Sequence, residues 1–179
     1  MYQHNFYILT GGPGAGKTTV LNELAGRGYC RVEEDARRII QEQLDKDGTA
    51  LPWKDKAQYT QLMLTAAVAS YRAAGSFLDS PVFFDRSLVD SYAYATLEDI
   101  RLSDADLMIA DQIRYNSKVF FFPPWPEIYQ NDAARKQTFD EAVLTSKILR
   151  TVYEDHGYDL VDVPKADVVQ RADFILQHI

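Results

Sequence analysis

An α/β chain, built as a doubly wound five-stranded parallel sheet with helices on both faces, is what this sequence predicts. Three observations carry that expectation. Five short apolar segments, at about 6–10, 29–33, 82–85, 118–122 and 158–163, alternate with helical patterns. Two of them, Val82-Phe83-Phe84 and Phe120-Phe121-Phe122, are continuous apolar runs, as strands covered on both faces require. The first segment also leads through a glycine-rich turn into a helix, the opening unit of many doubly wound sheets.

Phe6-Tyr7-Ile8-Leu9-Thr10 is aromatic and β-branched, and reads as a buried strand. After the turn, Val20, Leu21 and Leu24 fall at helical spacing, and Gly26 and Gly28 end the pattern. Beyond the second strand, Ile39, Ile40 and Leu44 predict a short apolar helix face closed by Gly48. Residues 57–74, rich in alanine and leucine, predict a long helix. Pro123-Pro124-Trp125-Pro126 follows the fourth strand and suits neither helix nor central strand. Thr138-x-x-Glu141 is a capping box, after which Leu144, Ile148, Leu149 and Val152 share one face up to Gly157. With no repeat, linker or low-complexity tract, residues 1–179 read as a single domain, with a short lid segment at about 123–137.

The turn is the most specific feature. Residues 11–18, Gly-Gly-Pro-Gly-Ala-Gly-Lys-Thr, form a complete G-x-x-x-x-G-K-T phosphate loop. A polyphosphate needs many N–H donors close to its oxygens, and glycines let the backbone approach without a Cβ in the way. Lys17 can reach the β- and γ-phosphates, the Thr18 hydroxyl can ligate Mg²⁺, and the helix N-terminus favours the same negative charge. Gly11, Gly12, Pro13, Gly14, Ala15, Gly16, Lys17, Thr18 and Thr19 are therefore the expected nucleotide-binding residues, with ATP and Mg²⁺ as the expected cofactors.

Composition narrows the classes. A net charge of −7 argues against broad nucleic-acid binding. No apolar run reaches the ~20 residues of a membrane span. Met1 to Asn5 lacks the pattern of a secretory leader, and a single cysteine, Cys30, fits a reducing compartment, so a cytoplasmic protein is expected. Cys30 itself reads as a small buried strand residue. The three histidines, His4, His156 and His178, have no ligand-like spacing.

In a doubly wound sheet, chemistry gathers at the carboxyl ends of the strands. The third strand ends in Asp85-Arg86-Ser87, where Asp85 can hold Mg²⁺ or accept a proton from an attacking hydroxyl. It can equally cap the next helix, with Ser87-x-x-Asp90 as a competing cap. The second strand runs into Glu33-Glu34-Asp35-Ala36-Arg37-Arg38, able to grip an acceptor's hydroxyls or phosphate, with Glu34 and Arg37 favoured. Asp35 as a helix cap and the arginines as a solvated face is the alternative. Asp132, Arg135 and Lys136 would bring charge to a lid that excludes water. The fifth strand ends in Val163-Pro164-Lys165, where the loop could touch a nucleotide base.

With these residues in order, the chain resembles the AAA_28-like family of P-loop ATPases and kinases. It is similar to the ribosylnicotinamide kinase domain of bacterial NAD regulators and to nucleoside and nucleotide kinases. The resemblance spans nearly the whole chain. It rests on Gly11–Thr18, Glu34-x-x-Arg37 with Ile39-Ile40, Phe84-Asp85-Arg86-Ser87 with residues 90–94, Arg135-x-Gln137-Thr138-Phe139, and a tail from Tyr153 to Pro164. It implies that Lys17 and Thr18 bind phosphate and Mg²⁺, that Asp85 faces them, and that Arg135 is a lid arginine. Glu34, Asp35, Arg37 and Arg86 would then bind the acceptor. A second lid domain, as in AAA+ machines, is not expected.

The leading expectation is an ATP- and Mg²⁺-dependent phosphotransferase acting on a small, nucleoside-like acceptor, with Lys17, Asp85, Arg135 and Glu34 as catalytic residues. The alternative is a nucleotide-dependent regulatory NTPase that switches a protein partner. A GTPase switch is disfavoured, because Asn116-Ser117-Lys118-Val119 lacks the aspartate of N-K-x-D. A homodimer is left open.

Overall fold

A computed structural model describes residues 3–75, 80–129 and 138–179. Five parallel strands form one sheet: β1 (Phe6–Gly11), β2 (Cys30–Val32), β3 (Val82–Asp85), β4 (Lys118–Phe122) and β5 (Asp159–Asp162). Their order is β2-β3-β1-β4-β5, which puts β1 at the centre with β3 on one side and β4 on the other. The register aligns Leu9 with Asp85 and Gly11 with Phe122, so the ends of three strands meet at one level.

Seven α-helices connect or follow the strands among the described residues: α1 (Lys17–Gly26), α2 (Asp35–Asp45), α3 (Lys56–Ala74), α4 (Leu88–Leu97), α5 (Asp104–Gln112), α6 (Phe139–Asp155) and α7 (Val168–Gln177). Strand side chains alternate between two cores, as period-two geometry requires. Phe6, Ile8, Phe84, Val119 and Phe121 pack on one face with residues of α3, α4 and α6. Leu9, Phe83, Phe120 and Phe122 pack on the other with Leu21, Leu24 and Ile175 of α1 and α7. The doubly wound sheet expected from the sequence is the fold observed.

The differences are local. Helices α5 and α7 were not anticipated, although each has a legible N-cap, Ser103 bonding the Asp106 amide and Asp167 bonding the Gln170 amide. Leu44 (48% exposed) and Leu144 (51% exposed) do not join the apolar faces assigned to them. Leu44 lies five residues past Ile39, about 140° around the helix. The buried line of α6 runs Ala142, Ser146, Leu149 and Tyr153, and Leu144 is about 200° away from Ala142. Cys30 opens the edge strand β2 and is only half-buried. No helix of the described residues is long and apolar enough to cross a membrane.

Ile8 is fully buried at the middle of the central strand. Ile8→Ala is expected to lower unfolding free energy by about 2–5 kcal/mol, through lost transfer energy and an unfilled cavity. Urea denaturation at unchanged m-value is the measurement.

Candidate functional site

The phosphate loop leaves β1 at Gly11, whose φ is +136°. A Cβ there would sit 2.3 Å from the Phe122 carbonyl oxygen, so only glycine lets β1 and β4 end side by side. Gly16, at φ +83°, turns the chain into α1, and a Cβ there would meet the Arg171 guanidinium at 2.6 Å. The loop closes one side of a cleft of about 900 Å³ that runs along the carboxyl ends of the strands to α2, α3 and α4.

Lys17 folds back into this loop, its Nζ donating to the carbonyls of Gly11 and Gly12 at 2.9 Å each. Burial, then the nearby Arg86 cation, push its pKa down to about 8, against the opposing pull of Asp85, Glu34 and Asp90. Thr18 Oγ1 donates to Asp85 Oδ2 at 2.9 Å. That contact decides between the two roles of Asp85, because the cap of α4 is a complete Ser87/Asp90 capping box. Asp85 is 5% exposed, and its other oxygen, Oδ1, is buried with no hydrogen-bond partner. Burial raises its pKa, Lys17 and Arg86 oppose, and Glu34 adds to the rise.

An orphaned carboxylate oxygen beside a threonine hydroxyl is a donor set that Mg²⁺ fits. The ion takes hard oxygen ligands, and one or two protein groups suffice when phosphates and water complete the shell. Among the described residues no cluster of three or more His, Cys, Asp or Glu offers a different metal site.

Next to Asp85, Arg86 has a left-handed backbone, φ +71°, which aims its guanidinium back across the strand ends. Its Nε donates to Glu34 Oε1 at 2.7 Å and its Nη1 to Asp90 Oδ1 at 3.0 Å. Burial raises the Glu34 carboxyl, but Arg86 and Lys17 outweigh it and hold the pKa below the usual range. Asp90 is the hub that sequence reasoning missed, having been read only as a cap. Thr10 Oγ1 donates to it at 2.7 Å, the Ser87 amide at 2.9 Å and the Tyr153 hydroxyl at 2.5 Å.

Other expected residues divide. Gly14, Thr19, Glu34, Asp35 and Arg37 line the cleft. Asp35 is the first residue of α2 rather than its cap, and it accepts from Ser70 at 2.8 Å. Arg38 turns to solvent, paired with Asp35 and Glu42. The loop after β5 reaches the cleft through Ala166 and Asp167, not through Lys165. Of the expected lid, residues 123–129 are described and end in a 3₁₀ turn, Pro126–Ile128. Asp132, Arg135 and Lys136 lie outside the described residues.

Arg171 of α7 is a second missed residue. It is 3% exposed, donates to the Ala15 carbonyl at 2.9 Å, and lies over the rings of Phe122 and Trp125. Burial lowers its pKa to about 10. The sequence signal was an arginine among Val168, Ala172 and Ile175, at spacings that face the core.

A glycine loop after the central strand, with a lysine, a threonine and an acidic strand end facing it, defines a P-loop nucleotide-binding site on a doubly wound sheet. The chain belongs to the AAA_28 family, described as an AAA domain, whose model matches residues 6–171. No curated protein matches it by sequence. Among solved structures it is similar to a deoxyadenosine kinase from M. mycoides, with products dCMP and a flexible dCDP bound. Identity is 18%, 97% of each chain is covered, and the TM-score is 0.67. It is similar to a NadR protein in complex with NR at 18% identity and TM-score 0.66, covering 98% of this chain but 52% of that one. The third is shikimate kinase from Acinetobacter baumannii in complex with shikimate, at 17% identity, 98% and 92% coverage and TM-score 0.57. At these identities the likeness shows a shared P-loop kinase fold.

Nucleotide binding needs Lys17 charged, and phosphates would raise its pKa from about 8. Below about pH 7.5 the free protein already carries the proton, so this group adds no pH dependence. Above pH 8 each bound nucleotide must take up a proton, and affinity should fall towards tenfold per pH unit. Calorimetry of ATP binding in buffers of different ionisation enthalpy would read that uptake directly.

Proposed function

We propose that the protein is an ATP- and Mg²⁺-dependent phosphotransferase whose acceptor is a small, nucleoside-like alcohol. The observation that carries this reading is the single cleft in which Lys17, Thr18 and Asp85 face an independent carboxylate–guanidinium pair, Glu34 and Arg86. A hydrolytic switch needs only the first group. A kinase needs both, one for the donor phosphates and one for the acceptor.

In this reading ATP lies on the loop with Lys17 at the β- and γ-phosphates. Mg²⁺, held by Thr18 and Asp85, supplies charge neutralisation between those phosphates. The acceptor hydroxyl enters beside Glu34, which is ionised at neutral pH and takes the proton as the new O–P bond forms. The bond from the γ-phosphorus to the bridging oxygen breaks, and ADP leaves. Arg86, locked between Glu34 and Asp90, balances the carboxylates and keeps Glu34 in one orientation. Rate comes from in-line positioning and electrostatics, since the chain has little covalent chemistry to perform. Resemblance to nucleoside kinases supports the nucleoside-like acceptor, and the family match and fold support the reaction class.

The test is ADP release by the purified protein with Mg-ATP against nucleosides, nucleoside monophosphates, sugars and ring-bearing ribosides. Acceptor-dependent release with a phosphorylated product is expected. Slow hydrolysis indifferent to every acceptor would instead assign a regulatory NTPase. Lys17→Ala should reduce turnover by at least about a hundredfold, given the several kcal/mol that phosphate clamps contribute. Asp85→Asn should lose Mg²⁺-dependent turnover far more than nucleotide affinity, as judged by kcat against the ATP dissociation constant. Equal losses in both would make Asp85 a structural residue.

A further inference from the structure

Beyond Glu34 the cleft continues into a chamber between α2, α3 and α4. Its walls are Ile40, Tyr59, Met63, Ala67, Tyr94 and Leu97. Tyr59 and Tyr94 meet edge to face, with ring centroids 5.5 Å apart at 78°. The Tyr94 hydroxyl is buried and has no hydrogen-bond partner. Among the described residues lining the cleft there is no asparagine, glutamine or histidine.

These facts restrict what can be buried there. A polar group withheld from water without a partner costs about 1–3 kcal/mol. A sugar or polyol would strand several hydroxyls against Ile40, Met63 and Leu97. A purine would strand ring nitrogens that are normally read by side-chain amides or carboxylates. A flat hydrocarbon ring would instead meet aromatic edges and aliphatic walls, gaining about 25 cal/mol per Å² of apolar area removed from water. Tyr94 would then complete the site, because its unpaired hydroxyl costs stability until a ligand atom accepts from it.

We infer that this chamber selects an alcohol whose buried body is a flat, mainly hydrocarbon ring with one hydrogen-bond-accepting substituent, and that Tyr94 reads that substituent. The inference deepens the phosphotransferase reading and takes from it only the position of the acceptor hydroxyl, beside Glu34. Tyr94 acts here as a specificity residue and has no part in transfer.

Binding can be measured without turnover, which separates the two ideas. Calorimetry would compare phenyl β-ribofuranoside, its 3- and 4-acetyl derivatives, adenosine and shikimate, on wild type and Tyr94→Phe, each with and without ADP. At least one acetylphenyl riboside should bind about tenfold or more tightly than adenosine or shikimate. Tyr94→Phe should weaken that ligand by about tenfold to a hundredfold and leave phenyl riboside unchanged. The variant's melting temperature should be equal or higher, because no hydrogen bond of the free protein is lost. Ala67→Phe, which fills the chamber, should abolish riboside binding and preserve ADP binding.

Tighter binding of adenosine or shikimate, equal effects of Tyr94→Phe on both phenyl ligands, or no riboside binding at all would each overturn the inference. Riboside binding as described without ADP release would overturn the phosphotransferase reading alone. Phosphorylation of adenosine in preference to the ring ribosides would keep that reading and remove this one.

Discussion

Asp90 is a carboxylate almost withdrawn from water, and the geometry of the cleft depends on how it is satisfied. Four donors reach it within 3.0 Å: Thr10 from β1, the Ser87 amide and the Arg86 guanidinium from the β3–α4 turn, and Tyr153 from α6. Removing one partner of a buried ion pair costs about 3–5 kcal/mol, mainly because the other charge is left without compensation. Arg86 therefore cannot wander from Asp90, although its backbone occupies a conformation that side chains seldom adopt. The same guanidinium fixes Glu34 on the neighbouring edge. One carboxylate thus ties the central strand, the catalytic turn, the acceptor side and α6 into a single unit.

The sheet makes this possible at little cost. Parallel strands ending at the same level bring Gly11, Asp85 and Phe122 together, and continuous apolar runs hold that level from both faces. A slip of one residue between β1 and β3 would send the core side chains of one strand to the wrong face. It would also carry Asp85 away from Thr18. The tight aromatic packing of Phe6, Phe84, Tyr71 and Tyr115, at 5.0–5.2 Å between ring centroids, guards against that slip. Core packing and site geometry here have one cause.

What could be read from the sequence follows from the range of each signal. The phosphate loop, the strands and the capping boxes at Ser87 and Thr138 are local patterns, so they stood out at the right residues. Asp85 was legible as a residue at a strand end, but its choice of Thr18 over a helix cap depends on a contact 67 positions away in the chain. Asp90 satisfied a local rule, the capping box, and that success concealed its ties to Thr10 and Tyr153. Arg171 lies 156 positions from the loop carbonyl it meets, and an arginine at a core-facing position was its only local trace. Leu44 and Leu144 show the converse error, apolar residues assigned to faces without counting the angle around the helix.

The charges of the nucleotide end explain why it should favour a polyanion over water. Lys17 and Arg171 are both buried, and burial pulls the pKa of each down, which means that each cation is destabilised in the ligand-free protein. Lys17 is held by two carbonyls and Arg171 by one, neutral acceptors that offset only part of the lost hydration. On the acceptor side the balance is reversed: Arg86 lies between two carboxylates and is held more firmly charged than in water. One cleft therefore has an end where cationic charge is in surplus and an end where it is neutralised. Phosphate is drawn to the first, and an uncharged alcohol is tolerated at the second. That asymmetry gives the transferring group a direction, from the loop towards Glu34, without requiring any side chain to move.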